Sequence, residues 1–244
     1  MSNTLVYGDE SIPITEAARS ELVIFDGKWT EEYEWKQSSL TAIDYDNGMK
    51  IKLRTSHYGD FIYVLIDFVT DTHIEKGIDM AMICFDGKNE KNIEPDSNDF
   101  CFSTVINGKN PIIYQGDNPS QTKNKFQKIT HEDFIALGTM SDENDRYTKV
   151  PHTSYEFKIP IEILERSSFY GFYMVVYDSK SDLMYTWPKD ISVNKYNIFS
   201  SPNQWGEIYS PDKSLPEFPF PLIGLVLPLI IIAIFRNTLS KFNF

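Results

Sequence analysis

Residues 79–87 read DMAMICFDG and residues 98–108 read NDFCFSTVING. Each is a short alternating run of strand-forming residues that ends at a glycine turn, and a polar, acidic loop separates the two. Successive side chains on a strand point to opposite faces, so Cys84 and Cys101 are placed to face each other across a long-looped hairpin. Similar runs recur along the chain. Period-two or short apolar stretches occur at Glu21–Phe25, Met49–Thr55, Phe61–Phe68, Pro111–Tyr114, Tyr155–Ile159, Gly171–Tyr177 and Leu183–Trp187. About nine strands at this spacing predict an all-β, antiparallel β-sandwich, immunoglobulin- or jelly-roll-like, rather than a parallel α/β sheet.

The punctuation agrees. Asp46-Asn47-Gly48, Tyr58-Gly59-Asp60, Asp86-Gly87-Lys88 and Asn107-Gly108-Lys109 each supply a residue that tolerates positive φ. Few short helices are expected. Thr30 is a candidate cap for one over Glu31–Trp35, and Pro160–Glu165 for a single turn. Gly116–Val150 is polar and reads as long loops crossing the sandwich, with one strand near Phe134–Leu137.

The C-terminal end reads differently. Phe218 to Phe235 is FPFPLIGLVLPLIIIAIF, eighteen residues without a charged, amide or hydroxyl side chain. That length is at the lower edge of what spans a bilayer core of about 30 Å, so one transmembrane helix is expected over 218–236, kinked at Pro228. Arg236 and Lys241 follow it, whereas Asp212 and Glu217 precede it with Lys213. The positive side faces the cytoplasm, which places 237–244 inside and the body outside. Residues 1–20 show no apolar signal-peptide core, so export requires a start upstream of Met1, the alternative being tail-anchored insertion. The parts are then an extension at 1–19, a body at 20–209, a proline-containing stalk at 210–217 and the span.

The chain has 244 residues, a formal net charge of −12 and 14% aromatic residues. The acidic excess argues against nucleic acid, whose binding needs a cationic footprint. Cys84 and Cys101 are the two cysteines; an exterior location favours a disulfide, a cytosolic one two buried thiols. Asp86, Glu90, Glu94, Asp96 and Asp99 crowd the loop between the cysteine strands and offer hard oxygen ligands for Ca²⁺, against the simpler reading of a solvated acidic loop. His57, His73, His131 and His152 are scattered, with no HExxH, GxSxG or phosphate-loop pattern, so no catalysis is expected.

The ordered phrases IFDGKWTEEYEW, DMAMICFD, NDFCFSTVING, HTSYEFKIPIEIL, GFYMVVYD, YTWP and NQWGEI resemble the CBM9-like, DOMON-related β-sandwich superfamily over roughly residues 20–209. That superfamily includes family 9 carbohydrate-binding modules and the haem-binding subunit of ethylbenzene dehydrogenase-type enzymes. The resemblance implies a single non-catalytic binding domain for a glycan or another envelope ligand. Trp187, Trp205, Trp29 and Trp35 are the candidate stacking residues, with packing in the core as the competing role. It also implies an alternative, haem b held by an axial pair drawn from Met80, Met82, Met174 and His152. A structural envelope protein without a small ligand is a third reading. LPEFPFPLIGLV resembles the PEF-type anchoring or sorting tails of archaeal surface proteins, with Pro216-Glu217-Phe218 as the sorting motif. The resemblance implies a single-pass cell-surface protein whose partner is the lipid bilayer.

Overall fold

The runs FIYVLIDF at 61–68, MAMICF at 80–85 and GFYMVVY at 171–177 carry apolar side chains on both faces. A strand of that kind needs a covering layer on each side. The computed structural model, which describes residues 11–117, 125–189, 191–211 and 215, provides both layers. Its strands are β1 (Ser11–Pro13), β2 (Thr15–Glu16), β3 (Ser39–Asp44), β4 (Lys50–Tyr58), β5 (Phe61–Phe68), β6 (Met80–Asp86) and β7 (Asp99–Val105). They continue with β8 (Ile112–Gly116), β9 (Phe126–Ile129), β10 (Ile135–Met140), β11 (Thr153–Pro160), β12 (Phe169–Asp178), β13 (Leu183–Trp187) and β14 (Gly206–Tyr209).

One sheet has the order β1-β14-β12-β6-β7-β8-β9, with β13 following β14 along the same edge of β12; the other runs β10-β11-β5-β4-β2, with β3 also on β4. Pairing is antiparallel except β1 with β14 and β2 with β4. The segment before residue 20 thus supplies a strand to each sheet. Between the sheets lie Ile83, Phe85, Phe102, Phe172 and Met174 from one side and Leu53, Val64, Ile66 and Phe157 from the other. Outside the first sheet, Met82, Cys84, Cys101, Tyr173 and Val175 are covered by Ile191 and Trp205. Outside the second, Tyr63 and Leu65 are covered by Val23, Trp29 and Trp35. The sandwich therefore has three apolar layers.

Several local expectations change. Glu21–Phe25 is not a strand: Ala18–Leu22 is a 3₁₀ turn, and the chain then crosses the outer face of β5 with Val23 buried. Its backbone donors find side-chain acceptors instead of a ladder, Ile24 N on Glu34 Oε1 and Asp26 N on Glu156 Oε2. Glu31–Trp35 forms hydrogen-bonded turns rather than a helix, and the Thr30 hydroxyl donates to Asp26 Oδ2 instead of capping. The polar stretch after Gly116 supplies both β9 and β10, and Ile161–Leu164 forms the expected short helix, α1. Gly27, at φ +94, has no room for a Cβ against the backbone of Gly138 and Thr139 on β10. Gly48, Gly59 and Asn107 take positive φ as anticipated, but in the 86–88 turn that role passes to Asn89.

Among the described residues no helix is long and apolar enough to cross a membrane. The expected span at 218–236, the end at 237–244 and Pro216-Glu217-Phe218 lie outside the described residues. Leu215, from the stalk, is buried in the core, and its carbonyl accepts a hydrogen bond from Arg166 Nη1 at 3.1 Å.

Candidate functional site

All four tryptophans are packed away. Trp35 and Trp205 are 0% exposed, Trp29 2% and Trp187 4%. The indole of Trp35 donates to Glu156 Oε1 (3.0 Å), that of Trp29 to the Glu31 carbonyl (2.6 Å) and that of Trp205 to Ser200 Oγ (2.8 Å). Trp187 lies in the inter-sheet core against Phe172. A pyranose stacks on an aromatic face only if that face is open, and these are not.

Partly buried rings come together elsewhere. On β8, alternation turns Ile113 into the core and Tyr114 outward. Phe126 comes from the neighbouring edge strand β9, and Phe199 from the segment that covers this face. Phe126 and Phe199 stack with centroids 4.5 Å apart and 21° between planes, and Tyr114 meets Phe199 edge-on at 5.1 Å. These rings line an open depression of about 400 Å³ whose polar rim includes Lys125, Asn197, Ser200 and Ser201. Trp205 supports it from below by holding Ser200. Sequence reasoning passed over these rings because residues 114, 126 and 199 belong to three separate phrases. The available signal was Tyr114, an outward position beside a core isoleucine.

The cysteines do pair. Cys84 and Cys101 are register partners on β6 and β7 and form a disulfide, wholly buried beneath Trp205. The acidic loop between them is mostly committed to its own backbone. Asp86 accepts from Lys88 N and Lys91 N, Asp96 from Asn98 N and the Asn92 side chain, and Glu94 pairs with Lys125. Asp99 accepts from Asp96 N, while its Oδ1 is buried without a partner. Of the calcium candidates Asp86, Glu94, Asp96 and Asp99, only Asp99 keeps a buried oxygen to spare.

No family model and no curated protein matches the sequence. The structure, however, superposes on a family 9 carbohydrate-binding module from Caldicellulosiruptor kristjanssonii solved in complex with glucose, with a TM-score of 0.53 at 14% identity over 82% of this chain and 95% of that one. The fold is that of a family 9 carbohydrate-binding module. A provisionally assigned carbohydrate-binding protein from Bacteroides uniformis ATCC 8492 is similar at a TM-score of 0.50 and 10% identity, over 82% of this chain and 99% of that chain.

The candidate haem ligands are not brought together in this CBM9-like sandwich. Met174 is between the sheets, Met82 and Met80 lie on the outer side of the same sheet, and His152 is beneath the outer cover of the other, so no axial pair forms. The space between the sheets is filled by the aromatic and aliphatic side chains described above.

The CBM9-like sandwich also buries carboxyl groups. Burial pushes Asp99 up to about 8, with Asp86, Asp96 and Glu90 adding repulsion, and pushes Asp67 and Asp71 each up to about 6. Burial opposes a charged His152, but the hydrogen bond and charge of Asp67 outweigh it and raise its pKa. A group whose folded pKa exceeds its unfolded one stabilises below the unfolded value and loses that contribution as pH rises through the folded value. Stability should therefore fall from about pH 4 to about pH 8. We expect the melting temperature at about pH 8.5 to lie below that at about pH 5.5 by on the order of 5 °C, with Asp99→Asn shrinking the gap. Equal or higher stability at the alkaline end would refute this.

Proposed function

We propose that this chain is a non-catalytic carbohydrate-binding module displayed at a cell surface by its C-terminal apolar segment. The single observation that carries the reading is the aromatic depression formed by Tyr114, Phe126 and Phe199 on a CBM9-like sandwich. The apolar C–H face of a pyranose gains from contact with such rings, while Lys125, Asn197, Ser200 and Ser201 offer hydrogen-bonding groups for its hydroxyls. The neighbour solved with glucose supports a glycan as the ligand class. The run Phe218–Phe235 and the PEF-like entrance support display on the membrane, with the sandwich outside. A disulfide at Cys84–Cys101 accords with an oxidising exterior.

Glycan-array screening of the full chain, followed by calorimetric titration of the best saccharide, tests the proposal. Phe199→Ala and Tyr114→Ala should each weaken binding about tenfold or more, as expected for losing roughly 1.4 kcal/mol of ring contact. A chain that binds no saccharide, or binds one equally well in both variants, would remove the reading. Display is checked by protease added to intact cells, which should cleave the sandwich.

A further inference from the structure

A second group of converging side chains lies on the opposite sheet, away from the aromatic depression. Asp67 projects from β5 toward the outer cover, His152 immediately precedes β11, and Asp145 comes from the loop between β10 and β11. All three are buried, and one donor atom from each lies within 4.8 Å of the others. We propose that Asp67, Asp145 and His152 form a binding site for a divalent transition-series cation, Zn²⁺ being the best match to one imidazole and two carboxylates.

The hydrogen bonds around the group leave buried carboxylate oxygens free. Asp145 Oδ1 accepts from Tyr147 N at 2.8 Å and Thr148 N at 3.0 Å, which leaves Oδ2 buried and without a partner. Asp67 Oδ2 is likewise buried and unpartnered. His152 Nδ1 lies 2.8 Å from both the Val150 carbonyl and Ser141 Oγ; the carbonyl can only accept, so the tautomer that satisfies it carries its hydrogen on Nδ1 and leaves Nε2 as the basic nitrogen. Nε2 points at Asp67 Oδ1, 2.5 Å away. A backbone carbonyl on the far nitrogen is the support that metal-bound histidines ordinarily have, and Ser141 Oγ, which also lies 2.8 Å from Nδ1, holds the residue further by accepting the His152 backbone N–H at 3.0 Å. Two carboxylates and an imidazole lone pair cannot converge without something positive among them.

A proton between Nε2 and Oδ1 meets that need for one contact and leaves both Oδ2 atoms unserved. The nearby cation Arg54 directs Nε to the Tyr147 hydroxyl and Nη1 to the carbonyls of Trp35 and Ser38. A divalent ion takes the place of the proton, which leaves to solvent, and gives the free oxygens a partner. Because Asp67 belongs to the sheet and Asp145 to the covering loop, the ion fastens that loop to the sandwich.

The test uses the full chain, stripped with chelator and then supplied with ZnCl₂. One zinc per chain should remain after gel filtration, and the melting temperature should rise by roughly 5–10 °C at a hundredfold excess over Kd. Affinity should fall about tenfold for each unit the pH is lowered, as one displaced proton requires. Co²⁺ in the native chain should give visible d–d absorption that Zn²⁺ abolishes, a readout that depends on no variant. His152→Gln should lose the zinc, whereas His131→Ala, which disrupts the exposed His131, Asp133 and Glu162 group, should keep it. Absence of retained zinc and of the Co²⁺ spectrum overturns the proposal. So does zinc retained undiminished in a folded His152→Gln chain.

Discussion

Glu156→Ala is expected to destabilise the sandwich by about 3–6 kcal/mol, the largest effect of any single substitution considered. Glu156 stands on β11, is 0% exposed, and serves three donors that come from a distant part of the chain. Oε2 accepts from Asp26 N at 3.1 Å and Gly27 N at 2.9 Å, and Oε1 accepts from the Trp35 indole at 3.0 Å. Burial drives its carboxyl well above the usual range, a tendency the Gly27 and Trp35 hydrogen bonds oppose. Alanine would leave those donors in an apolar layer without acceptors, and each buried orphan costs about 1–3 kcal/mol. The whole cover of β5, made by Val23, Trp29 and Trp35, should loosen with it. Glu156→Gln keeps an acceptor for the two backbone donors but turns an amide N–H toward the indole, so about half the loss is expected. Denaturant titration followed by tryptophan fluorescence measures both variants. A Glu156→Ala midpoint within error of the parent would show that the cover is held by packing alone.

The second large effect concerns the disulfide. Cys84 and Cys101 are 17 residues apart in sequence and face each other in adjacent strands. Closing a loop of that size removes unfolded-state entropy worth about 3 kcal/mol in the chain-entropy model. Cys84→Ala with Cys101→Ala should therefore lower the melting temperature by roughly 6–12 °C for a chain of this size. Because both sulfurs are buried under Trp205, with Tyr173 beside Cys84 in the sheet, reductant should act on the unfolded chain and leave the native one intact. Thermal unfolding of the parent and the double variant under oxidising conditions decides the matter. Equal stability would mean that the reduced hairpin already closes itself.

The strands were the legible part. Phe61–Phe68 and Leu183–Trp187 coincide with β5 and β13, and the hairpin of DMAMICFDG and NDFCFSTVING is present with its cysteines in register. Glu21–Phe25 misled because Val23, Ile24 and Phe25 have strand-forming side chains, while the acceptors for Ile24 N and the following Asp26 N, Glu34 and Glu156, lie outside the segment. β1, β2, β3, β9 and β14 were missed: all but β3 are strands of two to four residues, too short to carry an apolar pattern, and β3 (SLTAID) buries only Ile43.

The sequence by itself determined the all-β class, most of the inner strands and the opportunity for one disulfide. These rest on alternation and on turn residues, which act over a few neighbouring positions. Only the tertiary structure decided which aromatic rings are buried and which stand open. An apolar side chain favours burial without specifying the layer it will meet, so Trp35 and Trp205 are buried against strands far from them in sequence while Tyr114, Phe126 and Phe199 line an open depression. The meeting of Asp67, Asp145 and His152 has the same origin. Sheet register and a crossing loop bring together groups that no local spacing connects.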